Sequence, residues 1–224
     1  MADALITGFE PFGEDEGNPS QEVARALDGR TVAGMRVAGR VLPVSMRRIA
    51  GALQAVLDET RPRLIVSLGL ASGQSTIRIE RYGVNLADFP IADNDGSREI
   101  DLPLAGNGPV AVATTLPSRA IHDALLAAGI PARLSNSAGA YLCNACIYLT
   151  AGEITARGWD ARFGFLHLPY LPEQAAALLA GPRAGRLADQ IPSMALELMV
   201  RAAELTLGVC AQSNVTIARA ASRS

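Results

Sequence analysis

The sequence predicts an α/β fold: an open, twisted, mostly parallel sheet with helices on both faces, in a single domain. Three observations carry that expectation. Short apolar runs alternate with amphipathic stretches, from "ALITGF" at 4–9 to "RFGFLHL" at 162–168, and alternating strand and helix signals imply a mostly parallel sheet. Some runs are continuously apolar, as strands covered on both faces are. The composition is aliphatic, with 49% of the 224 residues hydrophobic and only 4% aromatic, which suits helices packed on a sheet of small and branched side chains. A chain of this length buries most of its apolar surface as one domain without disulfides or metals.

The elements follow in order. "ALITGF" leads into the turn-rich "EPFGEDEGNPS" and reads as a buried strand followed by a loop. Asn18 supplies a cap and Pro19 the first position of a helix to about Leu27. "MRVAGRVLPV" at 35–44 alternates as a strand does, and Ser45 is placed to cap a helix from Met46 to about Glu59. "RLIVSLGL" at 63–70 is the covered strand. "STIRIERYGVN" at 75–85 alternates again, with Ile77 and Ile79 on one face and Arg78 and Glu80 on the other. Residues 87–109, rich in Pro, Gly, Asp and Asn, read as a loop with room for a hairpin. Ser118 is expected to cap a helix to Gly129. A strand at 132–137, a helix from near Tyr141 to about Ala156 and a strand at 162–168 come next. A long amphipathic helix from Ile191 to about Cys210 closes the chain, and the tail at 212–224 is expected to fray or to pack against another subunit.

The net charge of −2 and the absence of a basic run argue against nucleic acid as a partner. No apolar run reaches the roughly 18 residues that a membrane span needs. The N-terminus has neither a basic region nor a long apolar core, so it does not read as a secretory signal. Three cysteines are too few for a disulfide framework and point to a reducing cytoplasm.

Two of those cysteines stand in "SNSAGAYLCNAC" at 135–146, where the spacing alone permits a metal clasp, a redox pair or one reactive thiol beside a buried one. A structural zinc site takes about four ligands, and the chain otherwise offers only His122, His167 and Cys210. A thioredoxin-like pair usually opens the helix after the first strand, whereas this pair follows several strands. Burial suits Cys146, flanked by Ile147, Tyr148 and Leu149. Cys143 differs, because small polar residues precede it and place it in the first turn of a helix. Free amides and the helix dipole there favour the thiolate and lower the thiol pKa. A nucleophile needs a base, and the base an orienter. His122 lies between apolar helix positions beside an acid and reads as a partly exposed helix residue. His167 ends a strand just before Pro169, at the carboxyl end where open α/β sheets bind ligands, and Cys143 follows the preceding strand at what is expected to be the same edge. Glu80, flanked by apolar residues, is the candidate to hold the imidazole. The competing reading of Glu80 is a solvated carboxylate paired with Arg78 or Arg81.

At these residues the sequence resembles the pyroglutamyl peptidase type I (pyrrolidone-carboxylate peptidase) family of cysteine peptidases. Three blocks carry the resemblance over nearly the whole chain: "TGFEPFG", "IERYGVN" leading to "DN", and "SNSAGAYLCN" followed by "HLPYLPEQ". The resemblance implies a cytosolic exopeptidase that removes N-terminal pyroglutamate (5-oxoproline) from peptides through an acyl-enzyme. Cys143 would be the nucleophile, His167 the acid and base, and Glu80 the orienter. It assigns Phe9 and Phe12, with Asn18, Ile91 and Leu142, to the pocket for the lactam ring, and apolar and aromatic walls suit a small flat uncharged ring. It implies no metal or organic cofactor, peptides with N-terminal pyroglutamate as partners, and a homotetramer or homodimer. The chain departs from the family pattern at three points. Leu70 in "GLASGQ" stands where a glutamine is usual, with Gln74 close by; Pro90 in "FPIADN" stands where an arginine is usual; and Cys146 is not a usual family position and receives no catalytic role. The competing functions are a non-hydrolytic binder of pyroglutamyl or related lactams and a thiol-redox protein using Cys143 and Cys146.

Overall fold

In a computed structural model, described for residues 2–13, 15, 17–181 and 191–221 (backbone alone over 213–221), the apolar runs become the strands of one seven-stranded sheet. The elements are β1 (Ala4–Phe9), α1 (Pro19–Leu27), β2 (Thr31–Val32), β3 (Met35–Leu42), α2 (Met46–Thr60), β4 (Leu64–Leu70), β5 (Ile77–Glu80), β6 (Tyr82–Val84) and β7 (Ala111–Ala113). They continue with α3 (Ser118–Ala127), β8 (Ala132–Ser135), α4 (Leu142–Arg157), β9 (Arg162–Leu168), α5 (Pro172–Ala180) and α6 (Leu196–Ala221).

The strand order is β2-β3-β1-β4-β9-β5-β8. Strands β3, β1, β4 and β9 are mutually parallel, while β2 is antiparallel to β3, and β5 is antiparallel to β9 but parallel to β8. The fold is therefore α/β with a mostly parallel sheet, as the alternation of runs predicts. On one face Ile6, Val66, Leu68 and Leu166 share a core with Val23 and Leu27 of α1, Ile121 and Leu125 of α3, and Met199 of α6. On the other, Leu5, Phe9, Ile65 and Phe165 share a core with Ile49, Leu53 and Leu57 of α2 and Leu142 and Ile147 of α4. Full burial of each such side chain is worth about 1.5–3 kcal/mol, so period-2 strands with apolar residues on both sides are held from both faces.

Local chemistry sets the ends. Asn18 Oδ1 accepts the Ser20 N–H at 3.1 Å and Pro19 starts α1, while Ser45 Oγ accepts the Arg48 N–H at 3.2 Å to start α2. Gly8 is required where α1 meets β1, since a Cβ there would stand 2.1 Å from the Ser20 carbonyl oxygen.

Three expectations change. Ser118 does not cap α3: Pro117 takes the cap position without a side-chain hydrogen bond, and Ser118 Oγ donates to the Leu116 carbonyl instead. The alternating stretch 75–85 is split into β5 and β6, and β6 pairs with β7 to close off the 85–110 excursion. The last helix begins at Leu196 rather than Ile191, because Ser193 bridges Tyr170 and the Met194 N–H donates to the Tyr170 carbonyl. Its backbone is helical to Ala221; residues 222–224 of the tail lie outside the described residues.

Candidate active site

Two rows of residues across the sheet build the site, because residues directly opposite in register share a face. One row is Gly69 on β4, His167 on β9 and Arg78 on β5. The next is Ser67, Phe165, Glu80 and, on β8, Ser135. Phe165 belongs to the core shared with α2 and α4, so both rows look toward those helices. His167 and Glu80 are 5% and 1% exposed, and His167 Nδ1 stands 2.8 Å from Glu80 Oε1. The carboxylate makes Nδ1 the protonated nitrogen and leaves Nε2 as the acceptor. The Phe165 ring lies edge-on to the imidazole, 4.9 Å between centroids. The competing reading of Glu80 is met in part: Arg78 Nε lies 3.1 Å from the same Oε1, whereas Arg81 reaches Asn136 Oδ1 at 3.3 Å.

Cys143 arrives by a different route from the one the sequence suggests. Strand β8 runs parallel to β5 and so opposite to β9, and its end does not lie at the edge where β9 ends. The connection 136–141 turns the chain back, and α4 starts over β4: a Cβ on Gly69 would stand 2.7 Å from Cys143 Sγ. Asn144 fixes that start. Its Oδ1 accepts the Val84 N–H at 2.8 Å, and its Nδ2 donates to the Val84 and Leu86 carbonyls, each at 2.9 Å. Of the three cysteines, all free thiols, Cys143 is partly accessible and Cys146 and Cys210 are buried. Burial pushes the Cys143 thiol well up, the neighbouring Cys146 and Glu80 add to this, and Arg78 opposes it. Desolvation thus outweighs the helix-start amides that favour the thiolate. Burial likewise pushes Cys146 and Cys210 up to about 11. Cys146 Sγ donates to Ser67 Oγ at 3.6 Å, and Thr7 Oγ1 donates to the same oxygen at 2.8 Å.

Cys143 and His167 line one cavity of about 140 Å³, together with Phe9, Phe12, Asn18, Val44, Leu70, Ala138, Tyr141 and Leu142. Phe9 is 2% exposed and belongs to the core, while Phe12 is partly buried and lies 6.0 Å from the Tyr141 ring. Tyr141 packs edge-on against Phe89 at 4.6 Å, and its hydroxyl donates to the Ala92 carbonyl at 3.2 Å. Asn18 braces its own loop: Oδ1 accepts the Ser20 N–H and O–H, and Nδ2 donates one hydrogen to the Glu10 carbonyl. Ile91 is 45% exposed and is not among the lining residues. Leu70 forms apolar wall, Gln74 instead accepts from Arg133 at 2.8 Å, and Pro90 is exposed away from the lining. Gly69, Arg78, Tyr141 and Asn144 went unmarked in the sequence. For Arg78 the signal was present, since alternation already puts it on the face of Glu80.

Among the described residues no three His, Cys, Asp or Glu side chains gather to hold a metal ion, and no helix is long and apolar enough to cross a membrane. A cysteine at a helix start beside a carboxylate-held histidine, on one small cavity of an α/β fold, defines the class of thiol hydrolases. A family model described as "Pyroglutamyl peptidase" matches residues 2–213. The pyrrolidone-carboxylate peptidase of Thermococcus litoralis is 41% identical over 209 residues, 93% of each chain. That of Pyrococcus furiosus is 39% identical over 205 residues, 92% of this chain and 96% of the relative. The solved structure of the pyrrolidone carboxyl peptidase from Thermococcus litoralis superposes with a TM-score of 0.90 at 40% identity, covering 96% of both chains. The chain belongs to the pyroglutamyl peptidase family.

Proposed function

We propose that the protein is a cysteine exopeptidase that removes an N-terminal pyroglutamate from peptides, with Cys143, His167 and Glu80 as its catalytic residues. The observation that supports this most is that the histidine held by Glu80 at 2.8 Å shares a cavity of about 140 Å³ with Cys143 and Phe12, a space suited to one small ring. Glu80 keeps the Nδ1 proton, so Nε2 takes the Cys143 proton as Sγ bonds to the carbonyl carbon after the pyroglutamyl ring. Because burial disfavours a free thiolate, proton transfer accompanies attack. The carbonyl oxygen becomes an oxyanion, and the first N–H groups of α4, which have no intrahelical acceptor, stabilise it. His167 then gives its proton to the leaving nitrogen as the C–N bond breaks and the shortened peptide departs. Water, losing a proton to His167, cleaves the thioester, releasing 5-oxoproline and restoring the thiol.

The walls account for the choice of substrate. Phe9, Phe12, Leu70 and Leu142 strip water from whatever enters, which is costly for the charged amine of an ordinary N-terminus and mild for an uncharged lactam nitrogen. Asn18 supports the pocket through the loop it holds, and Ile91 stands outside the lining. We further propose that this single-domain protein works in the cytoplasm as a homo-oligomer. Its free thiols suit a reducing compartment. Ile91, Ile100, Leu102 and Val110, exposed on the 85–110 excursion, suit coverage by a second copy. Release of the fluorophore from pyroglutamyl-aminomethylcoumarin, beside the prolyl and glutamyl analogues under reducing conditions, tests the reading. Release from the pyroglutamyl compound alone supports it, and a folded, reduced protein that releases none of them refutes it.

A further inference from the structure

Arg78 touches each of the three segments that carry the proposed machinery. It stands directly opposite His167 in the β5–β9 register. Its Nε lies 3.1 Å from Glu80 Oε1. Its Nη2 donates to Ser135 Oγ at 2.8 Å and to the Ser137 carbonyl, where the chain begins its return toward α4 and Cys143. The Nε–Oε1 contact is an ion contact rather than an aligned hydrogen bond, and Glu80 Oε2 has no hydrogen-bond partner among the described residues. A buried carboxylate with one oxygen unpartnered depends on a nearby opposite charge. Arg81 does not supply it, being turned to Asn136 and the Tyr82 ring.

The groups around His167 are few. Arg78 and Glu80 face it from β5, the Phe165 ring lies beside it on β9, Gly69 is its register partner on β4, and Cys143, Tyr141 and Leu70 share its cavity. Arg78 is the permanent cation of this set. It opposes the rise that burial imposes on the Cys143 thiol.

We propose that Arg78 is a positioning residue of the site: it holds the Glu80 carboxylate aimed at His167 and ties it to the loop that delivers Cys143. The proposal rests on the peptidase reading above. Removing the cation makes the Cys143 proton harder to lose, and so moves the acid limb of any step that needs that proton gone. A strut that only filled space would leave the pH dependence where it was.

The test compares Arg78→Met, which keeps the aliphatic stem, and Arg78→Lys, which keeps the charge, with the wild type. Two readouts are followed against pH: kcat/KM on pyroglutamyl-aminomethylcoumarin, and the rate at which iodoacetamide alkylates Cys143, located by peptide mass. Arg78→Met is expected to lose about tenfold or more in kcat/KM, mainly through kcat. Its acid limb should move up by about one pH unit in both readouts, and Arg78→Lys should bring the limb back. Unmoved limbs in Arg78→Met, or a limb that Arg78→Lys does not restore, overturn the proposal. If Arg78→Met does not fold, an Arg78→Lys limb displaced from the wild-type position overturns it, and a coincident limb with a reduced rate supports it. A wild type that hydrolyses nothing refutes the peptidase reading instead, while the alkylation arm still decides the role of Arg78.

Discussion

The Cys143 sulfur lies over Gly69, so close that a Cβ on Gly69 would stand 2.7 Å from it. The same Cβ would stand 2.7 Å from the Phe165 ring. Gly69 is also the register partner of His167, so the bare backbone of β4 is what lets the thiol approach the imidazole's row. Gly69→Ala should therefore move the thiol or the Phe165 ring. Overpacking of this kind costs about 1–3 kcal/mol of stability, and displacement of the nucleophile should lower kcat/KM by about a hundredfold. Steady-state kinetics beside a urea melt check it. A variant with wild-type kcat/KM would show that the sulfur does not need that space.

Glu80→Gln keeps the shape and removes the charge. The neutral amide no longer enforces the Nδ1–H tautomer or stabilises the imidazolium, so kcat should fall by about a hundredfold to ten-thousandfold with little change in KM. Arg78 loses its ion contact in the same step, and stability should drop by about 1–3 kcal/mol. Equal kcat in the two proteins would remove Glu80 from the mechanism.

Phe9 and Phe12 share the cavity but not the burial, and their alanine variants should part company. Phe9→Ala leaves a void in the core beneath β1 and should cost about 3–5 kcal/mol in denaturant unfolding. Phe12 is only partly buried, so Phe12→Ala should fold nearly as well and raise KM by about tenfold, the worth of one lost aromatic wall. If both variants unfold easily and neither changes KM, the ring is bound elsewhere.

Asp95 latches the 85–110 excursion to the start of α2, and this contact gives an acid dependence. Asp95 accepts from Ser45 Oγ at 2.7 Å and from Arg48 Nε at 3.0 Å and Arg47 Nη2 at 3.1 Å. The Ser45 hydroxyl first, and then the Arg48 guanidinium, hold its carboxyl down to about 2. Because the folded value lies below the unfolded one of about 3.9, the contribution is fully present above about pH 4 and is lost as pH falls through about 2. Asp95→Asn should remove part of the loss of stability on acidification in that window and leave the profile above it parallel to wild type. An unchanged acid profile would separate Asp95 from the latch.

Much of this arrangement was legible in the residues. Asn18–Pro19 and Ser45 marked helix starts that the structure keeps, since capping is local chemistry. Alternation put Arg78 and Glu80 on one face, where they are. What the sequence could not show depends on contacts far apart in the chain. The direction of β5 is set by its antiparallel pairing with β9 and that of β8 by its parallel pairing with β5, and this sends Cys143 to His167 by a turn rather than by a shared strand edge. The thiol's environment was likewise hidden, because desolvation by the packed sheet reverses what the helix start alone would do. Ile91 shows the limit from the other side: a motif neighbour in sequence stands outside the cavity lining in space.

A thioester between pyroglutamate and Cys143 can be trapped. The protein is mixed with pyroglutamyl-aminomethylcoumarin, quenched in acid within milliseconds, and digested for peptide mass. A pyroglutamyl adduct is expected on the Cys143 sulfur, absent from Cys143→Ala and persisting, with turnover, in Cys146→Ser. Turnover without any adduct on Cys143, or an adduct on Cys146, would contradict it.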